Sequence, residues 1–434
     1  MDRRTFLMTP GLLTAREAAG FAGANDRINV GVIGVRGRGR DHIDAVIHGP
    51  NARVAAVCDI DQSNIERAQA FTEKSGGGKP QGYEDMRKLF DDKSIDAVSI
   101  ATTNHWHALA GIWACRAGKD VYVEKPVSHN VWEGRKIVEA ARKYKRIVQA
   151  GMQSRSIGHK RKLMERLREG AIGRLYMARG QCFKRRQSIG KAPDGPVPAG
   201  VNYDAWLGPA PQRPFNPNRF HYNWHWFWDY GNGDIANQGV HEMDICRWGL
   251  NQAGLPRKVF SGGGKYIYSD DQETPNTQQA VFDYGAGLEM VFEVRGLMSN
   301  SEGSVSFDGA NTIGNIFYGS EGFACVDSQG YQIYQGEKRE LVEQMKAQEA
   351  RIWDTQPHFN NFFECVRSRK REDLTADIEE GHLSAALCHL ANISYRTGRS
   401  LKFDPSKESF GSDAEANALL TQVYRAPYQI PDPV

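Results

Sequence analysis

The sequence lacks the features typical of disulfide-rich, membrane or nucleic-acid-binding proteins. Its seven cysteines are spread singly over 434 residues without a Cys-x-x-Cys pair, which argues against a disulfide framework or a thiolate zinc site. No apolar run reaches the roughly 18 residues that a membrane-spanning helix needs, so we expect no span. The net charge of +3 is too small to indicate a nucleic-acid partner. The remaining composition, with 40% hydrophobic residues, is typical of a folded globular protein.

The amino terminus carries a candidate export signal. Residues 2–7 read Asp-Arg-Arg-Thr-Phe-Leu, which resembles a twin-arginine signal, and a short apolar region and small residues at 22–24 follow. Arg16 and Glu17 interrupt the apolar region, so a frayed amino terminus is the alternative. We expect residues 1–24 to send the folded protein to the periplasm, and a protein without a working leader to stay in the cytoplasm.

Two regions of different periodicity follow the leader. Between 25 and 150, apolar strands alternate with helical stretches, which predicts an α/β Rossmann domain with a doubly wound parallel sheet. Its strands are expected near 28–33, 53–58, 95–101, 120–124 and 146–150. From 151 to 434 we predict an α+β substrate-binding domain with an open, mainly antiparallel sheet. Its strands are expected near 174–183, 278–282 and 287–294, and its helices from near Gly233, at 357–367 and at 379–397.

Closely spaced glycines follow the first strand. Gly31, Gly34 and Gly37 have a Gly-x-x-Gly-x-x-Gly spacing, where backbone N–H groups can approach a nucleotide pyrophosphate. The spacing differs from the commoner Gly-x-Gly-x-x-Gly, so the loop alone is weak evidence. A second feature of the same sheet is therefore needed to support it.

Asp59 supplies that second feature. It ends the second strand 22 residues after Gly37, where a carboxylate can accept hydrogen bonds from the hydroxyls of an adenosine ribose. The same carboxylate would repel the phosphate of NADP, which predicts NAD as the cofactor. Arg36 and Arg38 keep NADP open, because a guanidinium could accommodate that phosphate.

Two later strands of the first sheet end in reactive side chains. The strand at 120–124 runs into Glu124-Lys125-Pro126, which delivers a lysine to the carboxyl edge where α/β sheets bind ligands. The strand at 95–101 runs into the polar and aromatic residues 102–107, at the switch region where nicotinamide riboside would lie. A dinucleotide site and an active lysine are thus expected in one domain.

These motifs resemble those of the Gfo/Idh/MocA family, named for glucose–fructose oxidoreductase, inositol dehydrogenase and a rhizopine-catabolism protein. The resemblance covers nearly all of the chain after the leader. It rests on residues 31–39, 58–59, 104–107, 118–126, 202–208, 239–244 and 380–382. Membership implies a Rossmann domain holding NAD(P), a sheet domain closing over it, and hydride transfer at a carbon of a sugar, cyclitol or related polyol.

The resemblance also implies catalytic roles. Lys125 would lie beside nicotinamide and substrate, and His241 would be the acid/base on the oxidised hydroxyl. Asn237 is a departure, because many family dehydrogenases carry aspartate there and an amide cannot remove a proton. We therefore predict that Asn237, four residues before His241 and on the same helix face, is a hydrogen-bonding substrate ligand. Proton transfer then falls to His241, with Lys125 as a possible partner.

The other predicted site residues group by ligand. The cofactor-binding set is Gly31, Gly34, Val35, Arg36, Gly37, Asp59, Thr102, Thr103, Asn104, His107, Glu124, Lys125, Gln153 and Trp206. The substrate-binding set is Lys125, Arg155, Asn237, His241, Tyr222 and Trp224. Alternatives stay open for Arg155 (surface solvation), Trp206 (core anchor) and the aromatic cluster at 220–230 (core packing rather than sugar stacking). We predict no metal, because neutral histidines beside nicotinamide explain His105 and His107 more simply.

Two enzymatic functions fit these expectations. The first is an NAD-dependent oxidoreductase acting on a secondary hydroxyl of a sugar, glycoside or cyclitol. The second is a glycosidase that oxidises C3 transiently, eliminates the aglycone, adds water and reduces again. A cofactor-bearing but inactive binding protein is a third possibility, motivated by the missing aspartate. An exported enzyme has no evident supply of free NAD, which predicts tight cofactor binding, and relatives commonly form homo-oligomers, so a dimer or tetramer is expected.

Overall fold

The computed structural model describes residues 27–297, 312–347 and 355–434, so the candidate leader lies outside the described residues. The first sheet has six parallel strands in the order β3-β2-β1-β4-β5-β6. Its strands are β1 (Ile28–Ile33), β2 (Ala52–Cys58), β3 (Gln81–Tyr83), β4 (Ala97–Ile100), β5 (Asp120–Val123) and β6 (Val148–Ala150). Its helices are α1 (Arg38–Ile47), α2 (Gln62–Lys74), α3 (Met86–Asp91), α4 (Asn104–Arg116) and α5 (Val131–Lys143). The predicted doubly wound sheet is confirmed.

Burial explains which strands the sequence could reveal. Every residue of β4 and β5 is buried, as expected for a parallel sheet covered on both faces, and such strands read as continuous apolar runs. The short edge strand β3, Gln-Gly-Tyr, has no buried residue and no apolar run, so the sequence analysis missed it. The strand order reverses between β1 and β4, which creates a crevice at their carboxyl ends.

The second sheet has nine strands in the order β14-β13-β12-β11-β7-β10-β9-β8-β15. Its strands are β7 (Leu175–Phe183), β8 (Lys258–Gly264), β9 (Thr277–Gly285), β10 (Leu288–Arg295), β11 (Thr312–Gly319), β12 (Gly322–Val326), β13 (Gly330–Gln335), β14 (Glu340–Lys346) and β15 (Leu401–Lys402). The pair of β7 and β10 is parallel and its other pairs are antiparallel. The predicted mainly antiparallel sheet is therefore confirmed.

The remaining helices lie between and after these strands. They are α6 (Gly158–Arg168), α7 (Tyr203–Leu207), α8 (Asp234–Asn237), α9 (Gly239–Gly249), α10 (Gln356–Ser368), α11 (Ile378–Thr397) and α12 (Ala414–Ala418). Short 3-10 turns occur at Gln153–Ser156, Pro217–Arg219, Asn223–Trp226 and Arg371–Asp373. Of the helices that the structure describes, none combines the length and apolarity needed to cross a membrane.

Close packing fixes α9 on the second sheet. A Cβ atom at Gly239 would lie 2.3 Å from the Phe292 ring of β10, so only glycine permits this approach. The Asn315 amide of β11 donates a hydrogen bond of 2.7 Å to the Glu242 carbonyl. The helix that carries His241 is thus held against the sheet with its first turn toward the first domain's carboxyl edge.

Helix α10 returns to the first sheet although it lies late in the chain. The Phe359 ring stacks on Tyr122 of β5 at a centroid distance of 4.1 Å. Phe362 and Phe363 join the same buried cluster as Val30 and other residues of the Rossmann sheet. The packing unit around the first sheet therefore includes residues beyond 150, while the predicted domain boundaries stay a prediction.

Candidate functional site

A cavity of about 450 Å³ opens at the carboxyl edge of the first sheet, where the strand order reverses. Its walls come from the carboxyl ends of the six strands and the segments that follow them, and from residues within 205–241. The predicted site residues that line it are Gly34, Arg36, Gly37, Asp59, Thr102, Thr103, Asn104, His107, Glu124, Lys125, Gln153, Trp206, Tyr222, Trp224, Asn237 and His241. Most of the predicted site residues, which lie far apart in sequence, are thereby brought together.

The glycine loop leaves its backbone open to this cavity. Gly37 precedes α1 without a side-chain cap, and a Cβ atom there would meet nothing within 4 Å. Gly34 has a φ of +80°, and a Cβ atom there would lie 2.6 Å from the Ala101 carbonyl oxygen, so this turn requires glycine. An uncapped helix start behind an open loop fits the pyrophosphate of a dinucleotide.

Asp59 lies where a ribose-binding acid is expected. Its carboxylate accepts hydrogen bonds from the Val35 N–H at 2.9 Å and from the Asn64 amide at 3.1 Å. Burial raises the pKa of Asp59. Asp59 Oδ1 also accepts from the Asp61 N–H at 3.1 Å, so both lone pairs of Oδ1 are used and one lone pair of Oδ2 remains for a ribose hydroxyl.

Two predicted cofactor residues are absent from the cavity lining. Gly31 lies within β1, where a Cβ atom would be 2.8 Å from the Leu89 side chain, so this glycine serves packing between strand and helix. The Val35 side chain is buried, and Val35 acts through its N–H bond to Asp59. The spacing of the glycines could not distinguish packing from ligand approach.

Cations surround the buried Glu124 carboxylate. It accepts hydrogen bonds from Arg38 Nε at 2.8 Å and Gln153 Nε2 at 3.1 Å, and it lies 3.0 Å from His42 Nε2. Burial alone would raise the pKa of Glu124. The charges of Arg38 and Lys125 and the hydrogen bond with His42 outweigh burial and hold this pKa well below its usual value. An ionised carboxylate therefore lies next to Lys125. From the sequence, Arg38 was expected only as a ligand for the phosphate of NADP.

Lys125 reaches across the cavity to α8. Its Nζ atom donates a 2.5 Å hydrogen bond to the backbone carbonyl of Asn237. The Asn237 side-chain amide instead lies 3.4 Å from an oxygen of Asp234, which is ion-paired with Arg186. Burial lowers the pKa of Lys125. The link between Lys125 and Asn237 thus uses the backbone, which residue type alone could not predict.

His241 is buried in the first turn of α9 and is neutral. Its Nδ1 atom is buried without a hydrogen-bond partner among the described residues. Burial lowers the pKa of His241 to about 3, and the positive charge of Lys125 adds to the effect. A neutral imidazole beside a cation can accept a proton transiently, but the neighbouring positive charge disfavours a stable imidazolium.

Arg155 is not part of the cavity lining. It is buried, and its guanidinium donates to Asp244 at 2.9 Å and 2.8 Å and to Glu380 at 2.9 Å. Both the substrate contact and the alternative of surface solvation are therefore at odds with the structure. Its partners lie 89 and 225 residues away, beyond the reach of any local pattern.

The neighbouring histidines 105 and 107 are occupied by backbone carbonyls. The two nitrogens of His107 lie 2.6 Å from the Pro126 oxygen and 3.1 Å from the Thr102 oxygen, so this ring joins the loops after β4 and β5. His105 contacts the Trp206 and Tyr230 carbonyls in the same way. No group of three potential metal-ligating side chains was found in residues 27–297, 312–347 and 355–434.

The aromatic cluster at 220–230 divides between core and cavity. Phe220, Trp226, Phe227 and Tyr230 belong to one buried aromatic cluster with Trp206, which also lines the cavity. Three members of the segment line the cavity although they were not among the predicted site residues; these are Phe220, His221 and His225. In an aromatic-rich segment no local pattern distinguishes such residues from core residues.

Comparisons with known proteins agree with this geometry. Residues 28–152 match the description "Oxidoreductase family, NAD-binding Rossmann fold", and residues 183–293 and 304–430 match "Oxidoreductase family, C-terminal alpha/beta domain". Inositol 2-dehydrogenase 2 of Saccharopolyspora erythraea is 28% identical over 308 residues, covering 68% of this chain and 77% of that protein. A glycosyl hydrolase family 109 protein of Shewanella sp. (strain W3-18-1) is 32% identical over 157 residues, covering 35% of this chain and 34% of that protein.

Solved structures share the fold over most of this chain. The WlbA dehydrogenase of Bordetella pertussis, in complex with NADH and UDP-GlcNAcA, has a TM-score of 0.63 at 19% identity, covering 87% of this chain and 99% of that one. A levoglucosan dehydrogenase in complex with NADH and levoglucosan has a TM-score of 0.66 at 17% identity, covering 87% and 99%. The two family matches together span more than half of the sequence, so this chain belongs to the Gfo/Idh/MocA family of NAD-binding oxidoreductases.

Proposed function

We propose that this protein is an NAD-dependent dehydrogenase acting on a secondary hydroxyl of a sugar, glycoside or cyclitol. The observation that carries the proposal is the convergence of Lys125 and His241 on the cavity that also contains the glycine loop and Asp59. The similarity to an inositol dehydrogenase and to a levoglucosan-bound dehydrogenase supports this substrate class.

The bound nucleotide would supply the hydride acceptor, held by the glycine loop, Asp59 and the loop after β4. Lys125 is held by the Asn237 carbonyl and provides a positive charge for the oxygen of the alcohol as its proton leaves. His241 lines the cavity, and its Nε2 has no hydrogen-bond partner among the described residues and is not a buried atom, so this nitrogen accepts that hydroxyl proton. Glu124 keeps an anion beside Lys125, which favours its protonated form.

NAD is proposed over NADP because the Asp59 carboxylate would repel a 2′-phosphate. Tight binding is supported by the segment at 198–230, which the backbone joins to the loop after β2. Gln62 N–H donates to the Gly200 carbonyl at 3.0 Å, and Asn202 N–H to the Ile60 carbonyl at 2.8 Å. The Asn202 amide also donates to Glu84 at 2.6 Å. Cofactor release would require these bonds to open.

The cofactor is tested by denaturing the purified, desalted protein and identifying the released small molecules by mass spectrometry. Stoichiometric NAD(H) is expected, whereas NADP(H) would contradict the assignment to Asp59. The activity is tested with methyl β-D-glucopyranoside and myo-inositol, with added NAD or an artificial electron acceptor. Keto product formed by the wild type and lost in Lys125→Met is expected. No oxidation of either probe would count against the proposed function.

A second candidate is a glycosidase working through transient oxidation. It is favoured by an additional ionisable group in the cavity, because the Tyr222 hydroxyl accepts a 3.2 Å hydrogen bond from Arg186. The similarity to glycosyl hydrolase family 109 proteins over about a third of their length supports it further. Nitrophenol release from a nitrophenyl glycoside without net NADH accumulation would favour this candidate. Keto sugar accumulation without cleavage would exclude it.

Export through the twin-arginine route is also a proposal, based on the sequence of residues 2–7. Fractionation of cells that express the full chain tests it. Periplasmic recovery of the wild type and cytoplasmic retention of the Arg3→Lys, Arg4→Lys double variant are expected, and equal distribution of the two would contradict export. We also propose a homo-oligomer of two or four chains, to be tested by light scattering of the purified protein.

A further inference from the structure

The aromatic segment places His225 in the cavity, in addition to the imidazoles of His107, His221 and His241. His225 lies in the turn Asn223–Trp226, and its ring stacks on the Trp224 indole with centroids 3.6 Å apart and planes 20° apart. The Tyr222 ring contacts it at a centroid distance of 4.8 Å. These contacts hold the imidazole in one orientation while it lines the cavity.

Hydrogen bonding determines which nitrogen of His225 carries the proton. Nδ1 lies 2.5 Å from the Tyr222 carbonyl oxygen. A carbonyl oxygen only accepts, so Nδ1 is the donor and Nε2 of the neutral ring holds a lone pair. Within the described part of the chain, Nε2 of His225 has no hydrogen-bond partner and is not a buried atom. The cavity therefore receives an acceptor from this residue.

The surrounding charges keep that acceptor neutral. Burial lowers the pKa of His225 to about 3, and the charges of Lys125 and Arg186 add to this effect while the bond to Tyr222 opposes it. A proton on Nε2 would face those two cations. His225 is thus a hydrogen-bond acceptor rather than a group that stores a proton, and its role differs from that of Lys125.

Backbone hydrogen bonds fix the position of His225 relative to α8, which contacts Lys125. The Gly233 N–H donates to the His225 carbonyl at 2.9 Å, and the Asn237 N–H donates to the Gly233 carbonyl at 2.9 Å. A Cβ atom at Gly231 would lie 2.6 Å from His225 Cα, so this tight return requires glycine. The turn carrying His225 is therefore joined to α8, whose last residue contacts Lys125.

We propose that His225 Nε2 determines substrate specificity by accepting a hydrogen bond from a free ring hydroxyl other than the one that is oxidised. A hydroxyl satisfies the lone pair of Nε2, whereas a hydrogen, a methyl ether or a carbonyl at that position leaves it unpaired. The substrate class is thus narrowed to polyol rings that carry a second free hydroxyl within reach of the reacting one. This inference rests on the proposed dehydrogenase function.

The test uses methyl β-D-glucopyranoside and myo-inositol, each with its singly deoxygenated and singly O-methylated analogues. For the wild type, one position is expected to lower kcat/KM by about 10- to 100-fold when its hydroxyl is removed or methylated. His225→Phe keeps the aromatic stacking and loses the acceptor. It should lower kcat/KM for the parent substrate by a similar factor, mainly through KM, and should no longer discriminate against that analogue.

His225→Gln is the matched variant, because its amide oxygen can accept a hydrogen bond; it should recover part of the discrimination. Retention of the full wild-type selectivity in His225→Phe would overturn the inference and leave the dehydrogenase assignment intact. Oxidation of neither parent probe by the wild type would instead reject the proposed function, and this inference with it. Thermal melting of each variant shows whether it is still folded, so that the loss of one contact can be distinguished from unfolding.

Discussion

The two edges of the first sheet use similar side chains in different ways. At the amino edge, Lys119 precedes β5 and its Nζ donates to the Asp92 and Ile95 carbonyls at 2.6 Å and 2.8 Å. At the carboxyl edge, Lys125 follows the same strand and faces the cavity. Asp120 at the first edge is neutralised by Arg369, while Asp59 at the second keeps a lone pair on Oδ2 for a ligand.

The comparison shows that residue type alone does not decide whether a buried lysine joins loops of the fold or faces a ligand cavity. Both lysines are buried or nearly so, and both donate to backbone carbonyls. One joins loops that connect strands of the same sheet, whereas the other spans the space between two sheets where a ligand fits. A substitution of the lysine at the amino edge should therefore lower stability, whereas a substitution of the lysine at the carboxyl edge should lower activity.

The largest expected effect is at Lys125. Lys125→Met should lower kcat by about 10²- to 10³-fold or more, because it removes the positive charge at the reacting oxygen. Lys119→Met is the matched control and should leave kcat within a few-fold. It should lower the free energy of unfolding by about 2 kcal/mol, since two carbonyls lose their donor. Steady-state kinetics and denaturant unfolding of both variants check the comparison. A large loss of kcat in Lys119→Met, with kcat retained in Lys125→Met, would contradict the comparison.

A second comparison concerns the buried acids Glu124 and Glu133. Glu124 lines the cavity, whereas Glu133 does not. The Glu133 carboxyl group is bonded to neutral donors, among them the His129 N–H at 2.8 Å and the Tyr424 hydroxyl at 2.9 Å. Burial raises the pKa of Glu133 from 4.5 to about 7, so the folded state binds more protons than the unfolded state between those values.

Stability should accordingly fall as the pH rises through this window, by on the order of 3 kcal/mol for this group. Glu133→Gln should remove that part of the slope, whatever its effect on absolute stability. Denaturant unfolding at several pH values between 5 and about 8 measures the slope. An unchanged slope in the variant would mean that Glu133 is ionised throughout this range.

A smaller effect is expected at Asp59. Asp59→Asn removes the negative charge that opposes a 2′-phosphate, while an amide oxygen can still accept from Val35 N–H. The affinity for NADP relative to NAD should rise by about 10-fold, which corresponds to the loss of roughly 1.4 kcal/mol of charge repulsion. Titration of cofactor-depleted protein with each nucleotide measures the ratio. An unchanged ratio would assign the discrimination to other groups.

The smallest expected effect is at Asn237. The expected common helix face is wrong, because Asn237 ends α8 and His241 lies in the first turn of α9, but both residues line the cavity. An aspartate at 237 would stabilise the protonated imidazole, so Asn237→Asp should raise the oxidation rate by a few-fold. The nearby Asp234 limits the gain, because the new carboxylate would lie beside it. Asn237→Ala serves as control. No rate difference between the Asp and Asn forms would mean that the family analogy fails at this position.

Local patterns predicted the parts of the site that lie close together in sequence. The glycine loop, Asp59 and the Glu124-Lys125 pair follow strands whose apolar runs are visible, and all of them except Gly31 and Val35 line the cavity. Arg155 was misplaced because its partners Asp244 and Glu380 come from distant helices. His225 was missed because only its stacking and its Nδ1 bond distinguish it from a core aromatic.

The sequence by itself determined the Rossmann sheet, the acid after β2 and the lysine after β5, because parallel strands bring their carboxyl ends to one edge whatever the rest of the chain does. Only the tertiary structure decided which histidines face the cavity and that Asn237 meets Lys125 through its carbonyl. It also shifted the pKa values of Glu124 and Glu133, which have the same side chain, in opposite directions. Burial and the neighbours contributed by distant segments set those properties, and neither is written in a local pattern.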